Sequence, residues 1–310
     1  MKHFLTKILV FSLPIVAVAM FMEVLLRNIP NDYLYKKDFL DNHAAEVENL
    51  ILGSSHAYYG LNPEYFSDNT FNASHISQSI DYDYELLKKY KDQLEGLKTI
   101  VLPISYFTLF ERLEKGPESW RVKNYTIYYE INSSKSITSY SEVLANQLKI
   151  NMQRLVEYYR FNNSAITSSS LGWGTSFNSE NARDLIKTGK NTAIKHSVEN
   201  MTSQKHQKIF DDNLETLNLI LQWGESNDVE VLLFTPPAFK TYRRNLNNKQ
   251  LTKTIKATKA ICAKYQNCTY ENLLSDKNFV AKDFYDADHL SEIGAKKLSR
   301  LIDEKITELK

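Results

Sequence analysis

The apolar positions of this chain fall into short continuous runs, set between longer stretches whose apolar residues recur at helical spacing. "EVENLILG" is the first such run, apolar enough for a strand covered on both faces. "TFNAS" (70–74) predicts a short second strand, "LKTIVLPIS" a third, "VEVLLFTPP" (229–237) a fourth and "NCTYEN" a fifth. "DYDYELLKKYKDQLEG" has the pattern of an amphipathic helix closed by Gly96, and "FDDNLETLNLILQWGESN" and "LTKTIKATKAICAKY" predict helices ahead of the last two strands. Strands alternating with helices imply a parallel sheet with helices on both faces. In such sheets ligands bind at the carboxyl ends of the strands. The turn Gly53-Ser54-Ser55 stands at that end of the first strand.

Between the third and fourth strands lie residues the alternation does not need, about 106–205. They run from "YFTLFERLEKGPESWRVKNYTIYYE" through the amphipathic "SEVLANQLKINMQRLVEYYRF" to the small-residue stretch "NNSAITSSSLGWGTSFNSE". A long, mainly helical insertion at the carboxyl edge of a sheet suits a lid or substrate-binding cap. With no repeat and no low-complexity linker, residues 31–310 form one expected domain carrying that insertion.

Residues 1–30 stand apart. Lys2 and Lys7 precede an uncharged apolar run from Ile8 to Met22, which Glu23 interrupts and Val24-Leu25-Leu26 extends. With that extension the run reaches the ~20 residues a spanning helix needs. Ala17-Val18-Ala19 resembles a signal-peptidase site, but the apolar pattern continues past it and favours an uncleaved single-pass membrane anchor. Cys262 and Cys268 lie at the end of a predicted helix and on the strand after it, a separation that permits a bridge and suits an oxidising, extracytoplasmic space. Two unrelated buried thiols would fit the same spacing.

Charge narrows the partners. Lys and Arg (38) nearly balance Asp and Glu (37) with no run of one sign, which argues against nucleic acid. The 12% aromatic content, carried largely by Tyr, is compatible with sugar stacking.

The chemistry gathers at the two ends of the fold. In "DFYDADHLSEIGAKKLSRLIDEKI" (283–306) Asp286 precedes His289 by three residues, and Ser291 is placed to cap a final helix whose packed stripe is Ile293, Leu298, Leu301 and Ile302. A carboxylate so placed can accept the Nδ1 proton of the imidazole, leaving Nε2 to take one from a hydroxyl. Asp288, adjacent to His289, is expected to point elsewhere. Asp286, Asp288 and His289 alone supply too few ligands for a metal site, so no metal is expected. The missing hydroxyl is offered by "GSS" after the first strand, where a helix N-terminus would also turn backbone N–H groups outward.

These two blocks resemble those of the SGNH, or GDSL-type, hydrolase superfamily: Gly53-Ser54-Ser55 matches the Gly-x-Ser block and Asp286 with His289 the final Asp-x-x-His block. The resemblance spans roughly 45–105 and 205–310. It implies a three-layer α/β/α sandwich with a parallel, flavodoxin-like five-stranded sheet, and a Ser55, His289, Asp286 triad needing no cofactor. Ser54 replaces the more usual Asp. In the second block, "FNASHISQS", Asn72 matches but Ala73 or Ser74 stands where Gly is common, and the third block, Gly-x-Asn, is not recognisable in "LPISYFTLF". Ser54, Asn72 and Ala73 are the expected oxyanion residues, and His56, Trp173, Tyr242 and Arg243 the candidate substrate contacts. The anchor, "GSSH", the insertion and "DADHLS" look most like the membrane-anchored branch that adds or removes acyl groups on bacterial surface polysaccharides. That implies a serine O-acyltransferase or esterase, acting on acetyl groups beside a multi-spanning membrane acyltransferase. A non-catalytic, membrane-tethered polysaccharide-binding protein on the same fold is the alternative.

Overall fold

The computed structural model describes residues 2–132 and 135–309. In chain order its helices are α1 (Lys2–Arg27), α2 (Asp32–His43), α3 (Ser55–Gly60), α4 (Ile80–Tyr90), α5 (Val122–Tyr128), α6 (Glu142–Ala145), α7 (Leu148–Phe161), α8 (Leu185–Lys195), α9 (Gln204–Ser226), α10 (Lys240–Arg243), α11 (Asn248–Cys262) and α12 (Glu292–Leu309). The strands are β1 (Asn49–Ile51), β2 (Thr70–Asn72), β3 (Thr99–Pro103), β4 (Glu230–Thr235) and β5 (Cys268–Asn272). The described residues form two compact units. One joins the first 37 residues to 117–166, and the other comprises 38–116 and 167–310.

The larger unit is built on the sheet. All five predicted strands are present, every pairing is parallel, and the order is β2-β1-β3-β4-β5. The expected flavodoxin-like arrangement is therefore present: β1 lies between β2 and β3, so the strand order reverses beside it. Crevices at such a reversal are where open α/β sheets hold ligands. The central strands are buried along their whole length because helices cover both faces: every residue of β1 and of β3 is buried, Asn49 and Thr99 at their first positions included. On one face Ile51, Val101, Leu232 and Phe234 pack against Leu298, Ile302 and Ile306 of α12 and Ala57 and Leu61 of the α3 segment. Ser291 caps α12 as its spacing predicts, its Oγ 3.5 Å from the Gly294 N–H. The stripe differs from expectation at Ile293, which lies exposed at the helix start.

Cys262, the last residue of α11, and Cys268, the first of β5, are joined in a disulfide with Cα atoms 5.2 Å apart. The short turn between helix and strand leaves the two side chains on the same side, within the reach a disulfide needs.

In the smaller unit α1 is long and apolar enough to cross a membrane, a property that an anchor and a signal sequence share. The single amphipathic stretch predicted over 141–161 is two helices, α6 and α7, broken at Asn146 and Gln147 where both residues adopt extended backbone.

Candidate active site

Ser55 owes its position to the turn that precedes it. Gly53 has φ +112°, a conformation side chains rarely adopt, and a Cβ there would lie 2.8 Å from the Pro103 ring. Glycine lets β1 turn sharply against β3. The turn is tied from behind, since the Gly53 N–H donates to Asp83 Oδ1 at 2.7 Å and the Gln78 amide to the same oxygen at 2.6 Å. Burial pushes the Asp83 carboxyl up to about 7. Ser54 is the N-cap of α3, its carbonyl accepting the N–H groups of Ala57 and Tyr58, each at 3.0 Å. Ser55 is then the first helical residue. From Ile51 to Gly60 it alone is not buried.

His289 is the corresponding exception at the other end of the chain, since 283–288 and Leu290 are all buried around it. Asp286 builds this loop: its Oδ1 accepts the N–H of Asp288 at 2.9 Å and of His289 at 2.8 Å. The same carboxylate faces His289 Nδ1 at 3.1 and 3.2 Å. With Nδ1–H donating to Asp286, Nε2 is left to accept the Ser55 hydroxyl, 2.8 Å away across 234 residues of sequence. Burial works against the charged imidazole, but Asp286 outweighs it and holds the His289 pKa above its usual value. Burial likewise opposes the charged Asp286, and His289 keeps it below the usual carboxylate range. The structure thus brings Ser55, His289 and Asp286 together at the carboxyl end of β1.

A second histidine–aspartate group lies directly behind. The rings of His56 and His289 stack with centroids 5.0 Å apart and 25° between planes. His56 is buried, meeting Asp288 Oδ1 through Nε2 at 3.2 Å and the Ser105 hydroxyl through Nδ1 at 2.7 Å. His196 Nδ1 lies 2.9 Å from the Tyr242 hydroxyl and 3.6 Å from Asp288 Oδ2. Burial lowers His196 to about 4, with Asp288 opposing only in part. Asp288 is fully buried, yet His56 and His196 hold its pKa well below the usual carboxylate range. Asp288 pairs with His56 rather than with the adjacent His289. His56, Asp288 and His289 bring potential metal-ligand atoms within 4.8 Å of one another. The ring nitrogens of His56 and His289 face Ser105, Asp288, Asp286 and Ser55, while Asp288 Oδ2 is buried with no hydrogen-bond partner.

The remaining predicted residues are placed as follows. Asn72 is wholly buried and its amide donates to the carbonyls of Ala57 at 2.9 Å and Leu61 at 2.8 Å, clamping the end of α3. The Ala73 N–H donates to the Ile51 carbonyl at 2.8 Å. Both groups are therefore committed inside the fold, which corrects their assignment to an oxyanion hole. Tyr242 is buried over His196 rather than presented to a substrate, and the Trp173 indole N–H donates to the Tyr59 carbonyl at 2.9 Å, fastening its loop to α3. Arg243 is half-buried on α10. None of these side chains is brought onto the triad.

What does border it is aromatic. Phe177 stacks on Tyr59 (3.6 Å, 10°) and on Tyr285 (3.8 Å, 13°), and its edge meets the His289 ring at 5.4 Å. Arg183 donates from Nε to the Tyr285 hydroxyl at 3.1 Å. Phe177 sits in the quoted "LGWGTSF", but neither it nor Ser105 and His196 carries a spacing signal that ties it to the distant "DADH".

No family model matches this chain, and no curated protein matches it either. Among solved structures it is similar to a Streptococcus pneumoniae protein described as a proposed platelet activating factor, with 11% identity, a TM-score of 0.45, and 96% of this chain and 99% of that one covered. It is also similar to a proposed acylhydrolase from Bacteroides fragilis, with 10% identity, a TM-score of 0.42, and 87% and 95% covered. At that level neither a family nor an activity follows from the likeness.

Proposed function

We propose that this protein is a serine-dependent acyl-transferring enzyme, an O-acyltransferase or esterase acting on acyl groups, acetyl first among them, of a cell-surface polysaccharide. The observation that carries the reading is the continuous hydrogen-bonded line from Ser55 Oγ through His289 to Asp286. In this mechanism Ser55 Oγ attacks the ester carbonyl while its proton passes to His289 Nε2, and Asp286 stabilises the imidazolium on Nδ1. Collapse of the tetrahedral intermediate expels the alcohol, which takes the proton back from Nε2. Water or a sugar hydroxyl then attacks the acyl-Ser55 by the same steps in reverse. The N–H groups of Ser55 and His56, at the start of α3, are the proposed oxyanion donors. The apolar α1, retained as an anchor, would hold the enzyme at the membrane with its globular part outside the cytoplasm, where the Cys262–Cys268 bridge is stable. The acylated donor would come from a multi-spanning membrane acyltransferase.

One observation favours the non-catalytic reading: the Asn72 amide and Ala73 N–H are both engaged elsewhere. A fluorophosphonate probe separates the two. Labelling is expected in the wild type and absent in Ser55→Ala, with aryl-acetate hydrolysis lost by on the order of 10⁴-fold or more. Weak hydrolysis that rises in turnover on adding an oligosaccharide acceptor identifies the transferase. Labelling or hydrolysis that survives Ser55→Ala removes the mechanism.

A further inference from the structure

The smaller unit carries an apolar surface that the proposed chemistry does not use. In α7 the residues Leu148, Met152, Val156 and Tyr159 are spaced i, i+4, i+8 and i+11, which places them on one face of the helix. All four are exposed, Leu148 by 65%. Leu144 of α6 and Ile137 of the preceding turn, exposed by 56% and 74%, extend the apolar surface of this segment. Lys149 and Arg160, each one residue beyond a member of the stripe and both exposed, border it with positive charge. Such a face is unexpected in water, where a helix this amphipathic normally turns its apolar side inward.

Its neighbour in the same unit is the last part of α1. Glu23 accepts the Ser141 hydroxyl at 2.8 Å and the N–H groups of Glu142 and Val143 at 3.0 and 2.9 Å, so its carboxylate caps α6. The Tyr159 hydroxyl donates to the Leu25 carbonyl at 3.0 Å and Arg27 to the Tyr140 carbonyl at 2.7 Å. These bonds fix α6 and α7 at the level of residues 23–27 of α1.

That level matters because of length. Every side chain from Thr6 to Val18 is exposed, a stretch that at 1.5 Å per residue spans about 20 Å, less than the ~30 Å of a bilayer core. To be covered, the core must also reach Phe21 and Val24, exposed by 64% and 57%. At that depth it meets the stripe of α7.

We infer that residues 137–161 form a collar lying in the interface of the lipid leaflet from which α1 emerges, with the Leu148-Met152-Val156-Tyr159 stripe against the acyl chains and Lys149 and Arg160 toward the phosphates. The inference rests on α1 being a retained anchor and is independent of the triad. A bilayer occupant is favoured over a protein because α7 is bonded to the end of α1, whose exposed apolar length matches a bilayer core. Interfacial helices bury their apolar face about 5–10 Å into the headgroup boundary.

The test uses the full chain, purified alone and placed in lipid nanodiscs, with Val16→Cys, Met152→Cys or Val156→Cys carrying an environment-sensitive fluorophore. Labels at 152 and 156 are expected to lose about half their emission to a lipid whose doxyl quencher sits near the headgroup and to be shielded from aqueous iodide. Labels at 152 and 156 open to iodide and untouched by the lipid quencher, beside a quenched label at 16, overturn the collar. Labels shielded from iodide but not quenched by lipid report a second copy on the face and also overturn it. Loss or aqueous exposure of the label at 16 removes the anchor, and the collar with it, while leaving the triad untouched.

Discussion

Two histidine–aspartate pairs stand back to back in this fold, their imidazoles stacked 5.0 Å apart, and they are built for opposite ends. His289 keeps an edge in solvent, has Asp286 on Nδ1 and turns Nε2 to a serine that is itself the one unburied residue of its turn. His56 has the same kind of neighbours in reverse order, Ser105 on Nδ1 and Asp288 on Nε2, but every one of them is buried. What distinguishes the first set is that its serine and histidine break the surface together. The buried set serves as the wall against which His289 is held flat, and Asp288 gives that wall its negative charge.

The largest expected effect that sharpens this contrast comes from the two aspartates. Asp286→Asn removes the acceptor that fixes the His289 tautomer, and aryl-acetate hydrolysis should fall by about 10²–10⁴-fold with little change in melting temperature. Asp288→Asn leaves the triad intact but replaces the buried carboxylate that His56 and His196 face with a neutral amide. Stability should fall by about 1–3 kcal/mol while kcat per folded molecule changes by less than about tenfold. Urea denaturation and steady-state kinetics on both variants decide it. An Asp288→Asn protein as stable as wild type but catalytically dead would mean that the buried pair takes part in the reaction.

How much of this was legible beforehand follows from which contacts are local. Asp286 and His289 lie within one loop and Ser55 follows a strand directly, so residue type and spacing were enough to select them. The five strands were legible because a sheet covered on both faces demands unbroken apolar runs. The roles of Asn72 and Ala73 were not, because a position after β2 does not reveal whether an N–H points into the ladder or the crevice. His196 and Ser105 were invisible for a different reason. Their partners, Tyr242 and His56, are 46 and 49 residues away, and only the closed fold brings them into contact. The collar was half legible: the amphipathic pattern of 141–161 could be read, but not that its apolar side would remain outside.

A smaller effect tests the buried pair through pH. His196 has a folded pKa near 4 against about 6.5 unfolded. Between those values the unfolded chain binds a proton that the folded chain refuses, so this residue costs stability progressively as pH falls from 6.5 to 4. The full difference is about 3 kcal/mol. Asp83, pushed up to about 7 by burial, acts with the opposite sign over the same range, so the wild-type curve alone is a balance. The difference between wild type and His196→Gln isolates the residue: the variant should lose up to about 3 kcal/mol less on going from pH 7 to pH 4. His289 behaves oppositely. Its raised pKa means that its charged form stabilises the fold below pH 6.5 and that this contribution is lost as pH rises through the folded pKa, while its service as a base fails on the acid side of that same value. A His196→Gln curve parallel to wild type would show that His196 titrates freely and that the second set is not sealed.

The smallest expected effect concerns Phe177, which touches only the open set. Its ring lies between Tyr59 and Tyr285 and sets its edge toward His289, so Phe177→Leu keeps most of the apolar area and removes the stacking. Aromatic pairs of this kind contribute about 0.5–1.5 kcal/mol each beyond the area they bury, which puts the stability loss at about 1–2 kcal/mol. Because His289 is still held by Asp286 and by the His56 ring, the pKa of its acid limb should move little. The loss of the edge contact should instead appear as a change of no more than about tenfold in the rate of fluorophosphonate labelling of Ser55. The readout that separates wall from machinery is the shape of the pH–rate curve. If Phe177→Leu shifts its acid limb as far as Asp286→Asn does, then the aromatic rim and not the carboxylate sets the basicity of His289, and the contrast between the two histidines would have to be drawn from their aromatic neighbours rather than from their aspartates.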